Sequence, residues 1–392
     1  MARAAGEDKG EQHAAGSMPE LPEVEASRRQ IEAQCAGLTI TAVHANEAGG
    51  HARSGEFDAI VFDDPDASAS MVAAALMGKT LVGVRRRGKQ LWLELSSPPH
   101  LLGHFGMTGA FAIKGVEPLS YKQFKVHTEE WPPRFTKLEL SFGDGTAALA
   151  FCDPRRLGRL RLRHDPEAEA PWKSLAPDGL LELPPVTAMC ARLSSTTAVI
   201  KALLLDQNKL LSGVGNWVAD EVLFHSGIHP ESACDTLSDA QVNRLHAALR
   251  DVLSTAVGCN AESQAFPSSW LFHYRWGKGA NGTTVPGVHG GAISFSTVGG
   301  RTSAVVLSRQ KKGERAASGG SKAPSAKATG SKSKRSVVVD EAATDDAAAA
   351  DPKTAMNKLP RSKSPSSQEA KKADEGDSSR GTGSGRPKAK RA

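Results

Sequence analysis

The hydrophobic pattern of this chain changes period once along its length, and that change limits what it can fold into. From Thr39 to about Arg163 the apolar residues come in short β-type runs: Thr80–Val84, Gln90–Leu95, Lys137–Phe142, Ala147–Phe151 and Leu160–Arg163. Gly, Pro and Asp break them up, as at Gly143-Asp-Gly145. Short runs with such breaks predict an antiparallel sandwich or barrel. After a Pro-rich connection from Asp165 to Pro185, the pattern is helical from Thr187 to about Gly258, which predicts a second domain. Ahead of the β region, Leu21, Val24, Ile31 and Cys35 recur at helical spacing behind prolines, and Gly37 supplies a stop. Ile293–Val306 reads as two β runs around Gly299-Gly300, a hairpin. The expected class is α+β.

At 392 residues there is room for two or three domains, but the chain does not fold throughout. From Lys311 to Ala392 there is no aromatic residue, and a segment of Ala, Ser, Gly, Lys, Asp and Pro cannot bury enough surface to order itself. Its basic clusters, Lys332–Arg335 and Arg386–Arg391, suit nuclear import or simple affinity for nucleic acid. Residues 1–17 read as a flexible leader whose acidic residues argue against an organellar transit peptide. Lys+Arg number 49 against 43 Asp+Glu, a net +6 of the right sign for a polyanion but too small to name one. The 5 cysteines contain no C-x-x-C pair, which excludes a disulfide framework and a locally written thiolate zinc site. No apolar stretch reaches membrane-spanning length, and the expectation is a soluble protein of a reducing compartment.

Pro19-Glu20, directly after Met18, is the feature with the most chemistry in it. Were Met18 the start and removed, Pro19 would be a free secondary amine with a pKa near roughly 8, nucleophilic at neutral pH. Its adduct with a sugar carbon is an iminium that keeps its charge without a proton, an electron sink for later eliminations. Glu20 and Glu23 lie close enough for one to donate a proton to the ring oxygen while the other orients the amine. Inside a chain Pro19 is a tertiary amide and inert. The expectation is therefore that translation from Met18, or proteolysis before Pro19, makes the active form. Taken alone, Pro-Glu at a helix start is ordinary N-terminal chemistry.

The wider wording changes that reading. Met18-Pro-Glu-Leu-Pro-Glu-Val-Glu25, followed by Ala-Ser-Arg-Arg29, resembles the start of the formamidopyrimidine-DNA glycosylases, which excise oxidised purines. The resemblance continues in chain order. Arg86–Leu95 is similar to the family's strand bearing a lysine, which places that role on Lys89. His104-Phe-Gly-Met-Thr-Gly109 resembles the loop that inserts a methionine, here Met107, into the gap left by a flipped nucleotide. Asp153-Pro-Arg-Arg-Leu-Gly158 resembles the loop with the other void-filling residues, Arg155 and Leu157, the latter where a phenylalanine is usual. Val199–Leu223 resembles the helix-two-turn-helix, with Gly213-Val-Gly-Asn216 as a phosphate clamp to which Asn216 adds a donor. Many members end in a four-cysteine zinc finger. With no cysteine after Cys259, this chain is similar instead to the plant and fungal branch with a metal-free hairpin, and Arg301 falls on the finger's phosphate-gripping arginine.

The resemblance implies a leader (1–17), a catalytic domain of N-terminal helix and antiparallel β-sandwich (18–165) and a linker (166–186). After these come a helix-two-turn-helix domain (187–260), a zincless finger (261–310) and a disordered basic tail (311–392). It implies a bifunctional glycosylase and abasic-site lyase acting as a monomer on damaged double-stranded DNA in the nucleus, with an organellar pool left open. No metal or other cofactor is needed. Catalysis falls to Pro19, Glu20, Glu23, Lys89 and Arg301, and DNA binding to His104, Met107, Arg155, Leu157, Asn216 and Arg301. Three rivals remain. An endonuclease VIII-like enzyme would prefer oxidised pyrimidines, although Leu21-Pro22 favours the purine branch. A non-catalytic binder of damaged DNA fits if the leader is retained. A helix-two-turn-helix protein of ribosome or topoisomerase type explains the middle of the chain alone.

Overall fold

The computed structural model describes residues 19–313 apart from 51, 120–125, 127–128, 277–282 and 287, so the expected leader and all of the expected tail but residues 311–313 lie outside the described residues; those three belong to the fold, the Lys311 N–H bonding Gly227 O at 3.1 Å and its carbonyl taking the His229 N–H at 2.9 Å. Helix α1 (Leu21–Cys35) starts where the sequence puts it, with Pro22 in its first turn and the Glu20 N–H held by Glu23 Oε2 at 3.0 Å. It ends before Gly37, whose φ of +82° turns the chain so that its N–H meets Leu81 O at 2.8 Å. The apolar stripe of α1 serves two cores. Leu21 is buried among the helices of the second half, while Val24, Ile31 and Cys35 are buried in the sandwich.

That sandwich has two four-stranded sheets. One, in the order β1-β6-β7-β5, contains β1 (Ile40–His44), β5 (Ala110–Ile113), β6 (Thr136–Phe142) and β7 (Ala147–Cys152). The other, in the order β2-β3-β4-β8, contains β2 (Leu81–Arg87), β3 (Gln90–Leu95), β4 (His100–His104) and β8 (Arg159–Arg163). All pairs are antiparallel, with Leu140 opposite Leu149 and Leu93 opposite Leu101. These leucines join Phe111 and Phe151, whose rings meet at 5.1 Å, in one core. Each such side chain contributes about 1.5–3 kcal/mol on burial. Helix α2 (Ala69–Leu76), capped by Ser68, adds Val72 and Leu76.

The second half is helical: α3 (Val186–Ser194), α4 (Ile200–Leu205), α5 (Asn216–Ser226) and α6 (Asp239–Gly258). Helix α5 is buried on nearly every side, and Gly227 ends it at φ +71°. Helix α6 is amphipathic and opens with a Ser238–Gln241 capping box. Strands β9 (Ile293–Val298) and β10 (Arg301–Val306) form the expected hairpin. Gly299 and Gly300 both have positive φ, +58° and +71°, as a two-residue turn of the type I′ kind requires. Residues 166–186 carry contacts of their own: Trp172 stacks edge-on to Trp92 at 5.4 Å, and Asp178 is fully buried.

Candidate active site

Glu20 lies at the junction of the two halves. Its carboxylate accepts three backbone N–H bonds from the start of α5: Trp217 to Oε1 at 2.8 Å, and Gly215 and Val218 to Oε2 at 2.9 and 3.0 Å. A free helix N-terminus attracts an anion, and this one is filled by the protein's own carboxylate. Within the Gly213-Val-Gly-Asn216 segment, expected from the sequence to clamp a phosphate, the Gly215 N–H goes to Glu20 and the Gly213 N–H to Gln207 Oε1 at 2.8 Å. Its glycines do permit close approach, but to protein. A Cβ on Gly213 would collide with Leu21, and one on Gly215 with the Glu20 carboxyl. Glu23 stands alongside, taking the Trp217 indole N–H at 3.1 Å on Oε1 and the Glu20 N–H on Oε2.

Burial raises the pKa of Glu20, partly offset by Lys89, by the Trp217 and Val218 N–H groups and by Arg275. Glu23 is pushed up to about 8, first by burial and then by the neighbouring Glu20. Two carboxyls with different partners and one shared wall suit division into proton holder and charge stabiliser. Pro19 is buried next to them at the entrance to α1.

Lys89 was expected on a strand and lies instead in the tight β2–β3 turn, buried. The turn is clamped from below. Fully buried Arg86 bonds Glu25 at 2.9 Å, Asp178 through both its Nη atoms, and Gly88 O at 3.0 Å; Asp178 also accepts the Gly88 N–H at 2.7 Å. Gly88 has φ +57°, and a Cβ there would lie 2.7 Å from Ser212 Cβ. The clamp thus sets Lys89 beside the α5 entrance and within electrostatic reach of both Glu20 and His104. His104, at the end of β4, has its pKa pushed down to about 3 by burial and then by Lys89, Arg161 and Arg159. It accepts the Gly106 N–H on Nδ1 at 3.2 Å, which leaves the proton of the neutral ring on Nε2.

Met107, half-buried, follows in a loop that packs on the loop carrying Arg155 and Leu157. Asp153, fully buried, joins them: Oδ1 accepts Thr108 Oγ1 at 2.7 Å and the Arg155 N–H at 3.1 Å, and Oδ2 accepts the Gly158 N–H at 2.6 Å. A Cβ on Gly106 would run into the Leu157 carbonyl. Arg155 is exposed and Leu157 half-buried.

Asn216 opens α5 and donates its side-chain N–H to Thr302 O at 3.1 Å, tying the helix to the residue after Arg301. A buried ion network does the same. Lys201 Nζ meets Asp220 Oδ1 at 2.6 Å and Ser303 Oγ at 2.7 Å, while Asp220 Oδ2 accepts Arg275 and the Ala304 N–H at 2.7 and 3.0 Å. The ten residues singled out from sequence therefore fall into two linked groups. Glu20, Glu23, Lys89 and Asn216 lie about the α5 entrance with Pro19, Arg301 precedes the Thr302 that Asn216 holds, His104 is within electrostatic reach of Lys89, and Met107, Arg155 and Leu157 share two packed loops.

Residues 18–160 match the family model of the formamidopyrimidine-DNA glycosylase N-terminal domain, and residues 175–268 match that of the formamidopyrimidine-DNA glycosylase H2TH domain. A formamidopyrimidine-DNA glycosylase of Arabidopsis thaliana is 42% identical over 302 residues, 75% of this chain and 71% of the relative. The chain belongs to the formamidopyrimidine-DNA glycosylase family. A Thermus thermophilus protein of that name is 34% identical over 242 residues, 61% of this chain and 76% of its own. Among solved structures, Lactococcus lactis formamidopyrimidine-DNA glycosylase bound non-covalently to DNA with an abasic site aligns with a TM-score of 0.58. It does so at 24% identity, covering 75% of this chain and 100% of that one, a likeness of fold.

In this member of the glycosylase family, sequence reasoning passed over Trp217, Asp153, Asp178, Arg275 and the Lys201–Asp220 pair. Trp217 could have been suspected, since an indole two residues past a Gly-Val-Gly turn sits where a helix meets its cap. The buried ion pairs have no local signature, because Arg86 and Asp178 are 92 residues apart and Asp220 and Arg275 are 55 apart. Among the described residues no three His, Cys, Asp or Glu side chains gather to hold a metal ion.

Proposed function

We propose that this protein excises oxidised purines from double-stranded DNA in base-excision repair, using the Pro19 amine as nucleophile, and then cuts the strand at the resulting abasic site. The observation that carries the reading is the Glu20 carboxylate, locked by three N–H bonds at the α5 entrance beside Pro19. Such rigid placement is what proton transfer to a sugar oxygen demands.

A damaged base inside a duplex is out of reach, so its nucleotide must be turned out at a cost of a few kcal/mol. Met107 and Leu157 then wedge the stack, and Arg155 offers donors to the orphaned partner base. His104, with its proton on Nε2, Lys89, Asn216 and Arg301 on the hairpin turn grip the bent backbone. The β9–β10 hairpin does the work of a finger without metal. With Pro19 exposed by removal of what precedes it, its nitrogen forms a bond to C1′ and gives up its proton to the base, which leaves with the electrons of its glycosidic bond. The sugar ring opens as O4′ takes a proton from Glu20, giving an iminium, and Glu23 supports that proton transfer. Loss of a C2′ proton expels the 3′ phosphate. A second elimination expels the 5′ phosphate, leaving a one-nucleotide gap. Lys89 and Arg301 position the phosphates and assist these proton transfers.

No helix among the described residues is long and apolar enough to cross a membrane. Nuclear DNA is the proposed workplace, on the strength of the basic clusters at Lys332–Arg335 and Arg386–Arg391. The test is release of 8-oxoguanine and formamidopyrimidine from defined duplexes beside duplexes carrying oxidised pyrimidines. The purine lesions should be released preferentially, and Glu20→Gln should slow that release about 10²–10⁴-fold, the usual share of a positioned acid. Equal or faster release of pyrimidine lesions would overturn the substrate reading.

A further inference from the structure

Between Arg155 and Leu157 stands a second arginine with a different set of partners. Arg156 has φ +58°, the left-handed region that non-glycine residues rarely occupy. Its guanidinium forks onto one carboxylate: Nε donates to Asp58 Oδ2 at 2.8 Å and Nη2 to Oδ1 at 3.0 Å. Asp58 is fully buried and itself fixed. It accepts the Ile60 N–H at 3.1 Å and faces Lys137 Nζ at 3.1 Å, and that buried amine also meets Glu47 at 2.8 Å. Burial opposes the charge on Asp58, but Arg156 and Lys137 outweigh it and hold the carboxyl well below the usual range.

We propose that Arg156 is a positioning residue for the DNA wedge: its fork onto Asp58 holds the left-handed turn that presents Arg155 and Leu157 on either side of it. A strained backbone conformation persists only where the surroundings over-determine it. Asp153 pins the N–H groups of Arg155 and Gly158, and Arg159 Nη1 donates to the Arg156 carbonyl at 3.3 Å. At the strained residue itself the side chain adds a bidentate hold to that single bond on its carbonyl. The two consecutive arginines thus divide their labour: the exposed Arg155 is free to meet DNA, whereas Arg156 has spent its planar fork on protein.

This inference rests on the wedge role given above to Leu157 and Arg155, and the experiment separates the two ideas. Lesion duplexes carrying 2-aminopurine opposite the damaged base report wedge insertion as a fluorescence rise, read beside single-turnover base release and the salt dependence of binding. Arg156→Ala should weaken the rise and slow release about ten- to hundredfold. The slope of affinity against salt should not change, since no phosphate contact is lost. Arg156→Gly, which tolerates the left-handed turn, should retain more of both signals than Arg156→Ala. Leu157→Ala should cost little further in the Arg156→Ala background. Should Arg156→Ala fail to fold, Arg156→Lys keeps the charge without the fork and should show the same losses in milder form. A salt slope reduced by about one would make Arg156 a phosphate contact and overturn the proposal. So would full additivity with Leu157→Ala, or variants matching the unmodified protein. If Leu157→Ala and Arg155→Ala alone leave fluorescence and release unchanged, the wedge reading itself has failed.

Discussion

Replacing Glu23 by Gln should flatten the dependence of stability on pH, by an amount that follows from where the carboxyl sits. Its pKa rises from 4.5 to about 8 because it is buried and faces Glu20, a rise that the Trp217 indole N–H partly offsets. For a carboxyl whose folded pKa is raised, the stabilising contribution is complete below 4.5, is lost as pH climbs, and levels off above about 8. Near pH 7 the unfolded chain has released the proton that the folded protein keeps, a loss of about 3 kcal/mol relative to acid, growing to about 5 kcal/mol above pH 8. Glutamine has no proton to release, so the variant should gain on the unmodified protein by those amounts across the range. A constant offset of about 1 kcal/mol is expected from weakened bonds to the Glu20 N–H and the Trp217 indole. Urea unfolding at half-unit steps from pH 5 to 9 measures this directly. Parallel stability profiles for the two proteins would show that Glu23 is not held protonated, and the division of roles between the two carboxyls would fall with it.

Gly215→Ala places a methyl against the Glu20 carboxyl, and should lower stability by about 1–3 kcal/mol and abolish base release together. Denaturant midpoints and lesion excision check both halves of that statement. Asp220→Asn leaves Lys201 and Arg275 buried beside a neutral group, and the expected cost approaches the 3–5 kcal/mol typical of a broken buried pair. Hydrogen exchange should show protection lost first along Arg301–Val306, whose Ala304 N–H bonds that carboxylate.

What the sequence revealed, and what it hid, divides along the line between local and distant causes. Helix α1 and the Gly299-Gly300 turn were legible because helical spacing, a stop and a double glycine act on the residues next to them. Strands β1, β4 and β5 and helix α2 were not singled out; His-Leu-Leu-Gly-His and Ala-Phe-Ala-Ile do not alternate polar with apolar residues. Lys89 was put on a strand by the resemblance of Arg86–Leu95 to a family strand, and only the positive φ of Gly88 shows the reversal. At Gly213 and Gly215 the sequence signalled a close approach but not what approaches. Leu21 and Glu20 come from the other end of the chain, and nothing near the two glycines in sequence names them. The loops proposed to fill the void were picked out by resemblance alone, while the buried carboxylates that shape them, Asp153 and Asp58, announce themselves only in three dimensions.

If Pro19 bonds to the sugar, borohydride reduction during turnover will trap the bond. Protein beginning at Pro19 is mixed with an 8-oxoguanine duplex and reductant, and the crosslinked peptide is mapped by mass spectrometry. A stable protein–DNA adduct on the Pro19 nitrogen is expected, formed as base is released and absent from protein that still carries residues before Pro19. Base release without any reducible adduct, or an adduct mapped to Lys89 or another lysine, would contradict it.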